Sequence, residues 1–163
     1  MKFPTVEWFE ALQRQAEKNS DTFRRLGFCD ALVGVKVLAE NGQTRDRSFL
    51  LTFNGYSCNS VEEVDNIEQA ADFVMEASFG TWKEMIENIT ANGGPDLSHT
   101  LNYLVMPGVP MKVTSHDQLK DDVFSRFIST FQEFFDGAQH VQTEFSWKEF
   151  FDGAQHVKTE FSG

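Results

Sequence analysis

Ser115, His116 and Asp117 stand side by side, the three residue types of a nucleophile, a base and its orienting acid. Adjacency is the wrong geometry for that chemistry, because the members of a catalytic triad converge from separate elements. Ser115 followed three residues later by Gln118 reads instead as a capping box that opens a helix. A second set of chemically able residues lies in FQEFFDGAQHVQTEFS (131–146) and recurs in WKEFFDGAQHVKTEFS (147–162). Asp136 and His140 are four apart, as are Asp152 and His156, with Glu133 and Glu149 three residues before the acids. On a helix each set shares one face, and carboxylates with histidines from packed helices can hold divalent metals. Di-metal helices use Glu-x-x-His spacing, however, and these residues fall on the polar side of a phenylalanine stripe. The spacing reads as a solvated helix face, with no metal ligand and no catalytic residue assigned. The chain also has no Gly-x-Ser-x-Gly, no phosphate-binding glycine loop, no His-Glu-x-x-His and no Cys-x-x-Cys. No cofactor is called for.

Composition narrows the partners. A formal charge of −11 argues against nucleic acid, whose phosphates need a clustered basic surface. It equally disfavours electrostatic attachment to an anionic membrane. No run of about 18 apolar residues exists for a membrane span, and no cationic start followed by an apolar stretch marks a secretion signal. With Cys29 and Cys58 as the two cysteines, a disulfide framework is not expected and a cytoplasmic location is the default. The informative excess is phenylalanine: of 17, nine lie between positions 124 and 161, so that stretch must bury aromatic surface.

The elements that must do this alternate in period. Val6, Phe9 and Leu12, with Trp8, follow a helix capped by Thr5. A short second helix places Phe23 and Leu26 inward before Gly27 stops it. Val33, Val35 and Val37 then alternate as a strand, Asn41-Gly42 marks a hairpin turn, and Phe49, Leu51 and Phe53 alternate again. Further strands are expected at 56–61, 71–77 and 110–114. Trp82, Met85, Ile86 and Ile89 form a helical stripe ended by Gly93-Gly94, and Asp96 caps another helix carrying Leu97, Leu101 and Leu104. From Ser115 a long helix is expected, with Leu119, Val123, Phe127, Phe131, Phe134, Ala138, Val141 and Phe145 down one side. Helices, a strand meander and more helices make the class α+β.

At ADFVMEASFGTWKEMIENI (71–89) the chain resembles the sterol carrier protein family of lipid-binding domains. The similarity lies in a meander strand beginning Ala71-Asp72, followed at once by a helix with Trp82-Lys83-Glu84 and the pair Met85-Ile86. FPTVEWFEAL (3–12) and the order of strand, acidic turn and long apolar helix are also similar, over roughly residues 3–136. The resemblance implies a five-stranded, mostly antiparallel sheet with helices packed on one face and an apolar tunnel between the layers for acyl chains, sterols or similar lipids. Trp82, Met85, Leu104 and Met106 would face Phe127, Phe131, Phe134 and Phe135 across that space. Periodicity alone marks these eight as buried and does not separate tunnel lining from solid core. Two stretches depart from the family pattern: ANGGPDLSHTLNYLV (91–105), which looks like an addition, and PGVPMKVTSHDQ (107–118). The peroxisomal tripeptide of some family members is also missing at the end of the sequence.

Thirteen of sixteen positions are identical between 131–146 and 147–162, the changes being Phe131/Trp147, Gln132/Lys148 and Gln142/Lys158. In one continuous helix the second stripe would face about 160° away from the first, because sixteen residues turn 1600° at about 100° each. The second copy therefore needs a groove elsewhere. A division into a lipid-binding domain at 1–146 and a duplicated helical segment at 147–163 is expected, extended or swapped onto a neighbouring protomer. The functional expectation is non-catalytic binding or transfer of an apolar small molecule, without stable membrane insertion. The alternatives are a small enzyme or biosynthetic accessory sheltering a hydrophobic substrate, and an assembly protein driven by its Phe-rich helix.

Overall fold

The computed structural model describes residues 1–40, 45–117, 120 and 122–145. Strand β1 (Lys2–Phe3) leads into helix α1 (Val6–Lys18). The Thr5 hydroxyl accepts the Trp8 N–H at 3.1 Å and donates to the Lys2 carbonyl, which fixes the entry to α1. Helix α2 (Ser20–Leu26) buries Phe23, but Leu26, expected inward, is exposed. The meander follows as β2 (Cys29–Leu38), β3 (Arg47–Gly55) and β4 (Ser57–Glu63), then the short α3 (Ile67–Ala70), β5 (Phe73–Ser78) and α4 (Phe79–Asn92). Helix α5 (Leu101–Leu104), β6 (Lys112–Thr114), α6 (Val123–Arg126), α7 (Ile128–Asp136) and β7 (Glu144–Phe145) complete the described chain. The expected Asn41-Gly42 turn, Gln118, Leu119 and all of residues 146–163, including the duplicated copy, lie outside the described residues.

The sheet has the order β4-β3-β2-β5-β6, with β2 and β5 parallel and every other pair antiparallel. This is the five-stranded, mostly antiparallel α+β architecture expected from the sequence. Val33, Val35 and Val37 of β2, Phe49, Leu51 and Phe53 of β3, and Phe73, Met75 and Ala77 of β5 form its buried face. Helices α1, α4 and α7 cover that face with Phe9, Leu12, Trp82, Met85, Phe131, Phe134 and Phe135. The opposite face is not bare. Helix α3 sits there, packing Ile67 and Ala71 with Leu50 and Val74 in a second, smaller cluster. Gly34 in mid-strand makes room for it, since a Cβ at that position would lie 2.8 Å from Ile67 Cγ1.

Three local expectations need correction. Leu97, Leu101 and Leu104 do not share one helix: Leu97–His99 is a single 3-10 turn capped by Asp96, and Thr100 caps α5 separately. Leu97 is consequently 87% exposed. Ser115 does not open a helix; its hydroxyl donates to the Asp72 carbonyl at 2.7 Å and accepts the Asp117 N–H, tying this turn to the start of β5. The long helix from Ser115 to Phe145 is the third. The backbone leaves helical geometry at Phe127, resumes as α7, tightens into a 3-10 turn at Gly137–His140 and then extends. Strand β7 pairs in parallel with β1, the Trp8 indole N–H donates to the Thr143 hydroxyl at 2.9 Å, and Phe145 packs on Phe3 and Phe79. Apart from Phe79, those partners come from the first residues of the chain, and together they outweigh the helical periodicity of Val141 and Phe145.

The first copy of the repeat is thus helix, 3-10 turn and strand. Two of its three differences from the second copy fall on contacts. The Phe131 ring lies 5.4 Å from both Phe53 and Phe73, and the Gln132 amide accepts the Leu101 N–H at 2.8 Å while donating to Asp136. A larger indole at the first position overpacks the layer, at a cost of about 1–3 kcal/mol. A lysine at the second cannot accept, leaving a part-buried N–H unpaired at about 1–3 kcal/mol. Writing the second copy's residues into the first (Phe131→Trp with Gln132→Lys) is expected to lower stability by roughly 2–4 kcal/mol in urea unfolding, short of strict additivity because the sites are neighbours. A variant as stable as the parent would mean the copies are interchangeable at this site.

Candidate functional site

The candidate site is the apolar layer between the sheet and its helical cover. Of the eight residues expected there, Trp82, Met85, Leu104, Phe131, Phe134 and Phe135 are buried in one continuous cluster. Phe127 is partly buried and packs against it. Met106 is not brought in; it is 51% exposed on the turn after α5. Phe135 lies 5.7 Å from Trp82 and 6.5 Å from Phe9, and Phe134 lies 5.3 Å from Phe53. These are ordinary contact distances between aromatic rings, so side chains fill this part of the layer. Phe53, Phe73 and Phe124 belong to it equally, with Phe124 and Phe131 both against Phe73. The alternation in β3 and β5 marked Phe53 and Phe73 as inward; nothing local says which helix residues they meet.

Polar groups are sparse inside. Among the described residues the buried polar or charged side chains are Ser48, Asp72 and Thr130. Asp72 is fully engaged: one oxygen accepts the Leu32 N–H at 2.9 Å and the other meets Lys120 Nζ at 2.7 Å. The Trp82 indole N–H, which burial would otherwise leave unpaired, donates to the Lys36 carbonyl at 3.1 Å. Burial pushes the Cys29 and Cys58 thiols up to about 12, the opposite of what a nucleophilic cysteine needs. No group of three or more His, Cys, Asp or Glu among the described residues is arranged to hold a metal ion.

Two of the surface clefts bring a carboxylate and a histidine together. The first, of about 300 Å³, lies between α1 and α7 and is lined by Gln15, Lys18, Asn19, Glu133, Asp136 and His140 among others. Asp136 and His140, expected on a solvated helix face, do border one cleft, but the carboxyl is not fully solvated. Burial, with Glu133 adding to it and the Gln132 amide opposing it, raises the Asp136 pKa to about 6. The second cleft, of about 250 Å³, runs between α4 and the 97–110 segment and is lined by Thr81, Glu84, Ser98, His99, Tyr103, Leu104, Val109 and Pro110. His99 was not singled out in the sequence, because its partner Glu84 is fifteen residues away on another element.

No family model matches the chain, and no curated protein matches it. Among solved structures, the chain is similar in fold to one titled crystal structure of sterol carrier protein 2, at TM-score 0.64 and 20% identity, covering 85% of this chain and 98% of that one. It is also similar to the solution structure of a conserved hypothetical protein from Thermus Thermophilus, described as possibly a sterol carrier protein, at TM-score 0.62 and 19% identity over 86% of this chain and 90% of that one. At such identities the likeness establishes the fold, which is the one titled sterol carrier protein 2.

Proposed function

We propose that this protein binds or transfers an apolar small molecule, such as an acyl chain or a sterol, in the layer between the sheet and helices α4 and α7. The observation that carries this reading is the chemistry of that layer: aromatic rings and flexible methionines, with the Trp82 indole N–H already satisfied. Such a layer offers a ligand apolar contact, and among the described residues its buried acid, Asp72, is already paired while both buried thiols are held protonated. Each ligand CH₂ taken out of water would contribute about 0.8 kcal/mol. Because the rings touch one another, a ligand enters by displacing them, and Met75, Met85 and Met111 supply adaptable volume for that. The fold shared with a structure titled sterol carrier protein 2 supports the same reading.

A second reading, acid–base chemistry, is favoured by Asp136, a carboxyl with its pKa near 6 in a cleft beside Glu133 and His140. It ranks second because that cleft opens between α1 and α7 and is lined largely by polar side chains. Self-association through the second copy of the repeat also belongs here. The apolar positions that the first copy buries recur at Trp147, Phe150, Phe151, Ala154, Val157 and Phe161. With the first copy already seated in its own groove, a neighbouring protomer is the surface proposed for the second.

Three measurements check these readings. Native mass spectrometry after organic extraction is expected to release a co-purified lipid; a ligand-free preparation that also takes up no acyl chain or sterol overturns the carrier. In sedimentation, the full chain is expected to be dimeric and a form ending at Ser146 monomeric, and two monomers would remove the self-association proposal. The Asp136 pKa is raised on folding, so the folded state holds that proton more tightly, and stability falls as pH rises from the unfolded value of 3.8 through about 6. Asp136→Asn keeps an acceptor for Gln132 and should therefore stabilise the protein by on the order of 1 kcal/mol at about pH 8, after discounting for solvent access. That gain should vanish at about pH 4 in urea unfolding, where the carboxyl is protonated in the folded state.

A further inference from the structure

Residues 93–111 leave the end of α4 and return to the sheet at β6 as a strap across one end of the apolar layer. Its two ends turn through glycines with positive φ, Gly93 at 68° and Gly94 at 145° on one side and Gly108 at 86° on the other. Between them the strap points both ways. Leu101 and Leu104 are buried in the core cluster, whereas Leu97, Tyr103 and Met106 face outward. Leu104 is also where the core meets the second surface cleft, which separates the strap from α4.

The strap is fastened at a few identifiable points. Asn88 of α4 is bonded twice to Asp96, its side-chain oxygen accepting the Asp96 N–H at 2.9 Å and its amide donating to the carboxylate at 3.0 Å. At the inner side the Leu101 N–H reaches Gln132. On the rim of the cleft His99 sits between two carboxylates, Nδ1 at 2.6 Å from Asp96 and Nε2 at 2.7 Å from Glu84. A neutral imidazole carries one N–H, so both contacts together require the imidazolium, which donates from both nitrogens. The titratable groups facing this ring are Asp96 on its own turn, Glu84 from α4 and the Tyr103 phenol of α5, which lines the same cleft. Lys83, the one cation of α4, is turned toward the Phe145 ring instead.

We propose that the strap at 93–111 is a proton-operated latch on the entrance to the apolar layer, closed while His99 bridges Asp96 and Glu84 and loosened when His99 becomes neutral. On losing its proton the ring keeps one donor. The contact to Asp96 is local, three residues away and within one 3-10 turn, and costs little order to hold. The contact to Glu84 spans fifteen residues and two elements, so it is the one released. Asn88 does not titrate and remains as the pivot. The seam that opens is the existing cleft, and the side chain it frees first is Leu104. Both carboxylates raise the His99 pKa above the ordinary histidine value, so the latch is closed at low pH and loosens as pH rises through that point. The role as an entrance rests on the carrier reading; the latch itself does not.

The test is amide hydrogen exchange of residues 97–104 in the full chain between about pH 6 and about pH 9, corrected for intrinsic rates, beside an NMR titration of the His99 ring. Exchange is expected to rise several-fold with the midpoint of His99. Glu84→Ala, at a mostly exposed helix position, should lower that midpoint and make exchange fast already at low pH. Exchange indifferent to the His99 titration, or unaltered by Glu84→Ala, overturns the latch. An uncharged fluorescent sterol probe separates the two layers of the argument. Its association rate should rise over the same pH range, and a rate flat in pH while exchange rises overturns the entrance. No uptake at any pH overturns the carrier reading, and the exchange data then decide the latch alone.

Discussion

Phe53 and Phe73 stand on strands that are not neighbours, with β2 between them, and one ring, Phe131, lies 5.4 Å from each. That three-ring contact is where α7 is set upon the sheet. Once Phe131 is seated, the helical repeat carries Phe134 to Phe53 and Phe135 to Trp82, which in turn engages α4. Truncating one such ring costs about 3–5 kcal/mol in a well-packed core, a large share of the 5–15 kcal/mol that holds a domain folded. The cover and the sheet are therefore not independent parts. The layer that would accept a ligand is the same layer that sets the fold, so a carrier built this way must exchange ring–ring contact for ring–ligand contact without losing its helices.

Other contacts limit how far the cover can move. The two ends of the described chain are clasped: the Met1 amine donates to the Gln142 carbonyl, the Glu144 N–H donates to the Met1 carbonyl, and Trp8 holds Thr143. With β1 and β7 paired, the far end of α7 is fixed to α1. The strap end has no strand pairing between α4 and β6 and depends on side-chain contacts at Asn88, Glu84 and Gln132. Opening belongs more to this end than to the clasped one, because Leu101 and Leu104 anchor the strap without any strand pairing and its remaining ties are single side-chain contacts.

Most of the sheet was legible in the sequence because half-burial writes itself as alternation. Phe49, Leu51 and Phe53 could be assigned to one face from spacing alone, and so could Val33, Val35 and Val37. Gly34 could not be explained until Ile67 was found 2.8 Å from where its Cβ would lie, a contact made across the sheet by an element 33 positions away. Val141 and Phe145 are four apart and fit a helical stripe as well as a strand, and what decides between them is β1 at the other end of the chain, where Lys2 pairs with Glu144 and Phe3 with Phe145. The leucines at 97, 101 and 104 misled in the same way: their spacing is helical, but Asp96 and Thr100 each cap their own short turn. Of the candidate site, the aromatic residues of α7 and α4 were readable as buried. Met106 was not readable as exposed, because its exposure follows from that broken turn.

The strap overlaps the two stretches, 91–105 and 107–118, that were expected from the sequence to depart from the sterol carrier pattern. A fold shared at 20% identity fixes the sheet and its cover, since those obey packing rules that many sequences satisfy. It fixes nothing about His99, Glu84 and Asp96, whose partnership needs three particular side chains at one rim. The two carboxylates of the bridge are largely exposed, Glu84 at 72% and Asp96 at 51%, around an imidazole at 17%, so solvent screening keeps its contribution to the stability of the whole small. A contact of small energy can still govern access when it sits on the least stable segment, because there the balance between closed and open is itself small. On the proposed carrier reading the aromatic layer would set what is bound, and a single imidazole on the rim would set when.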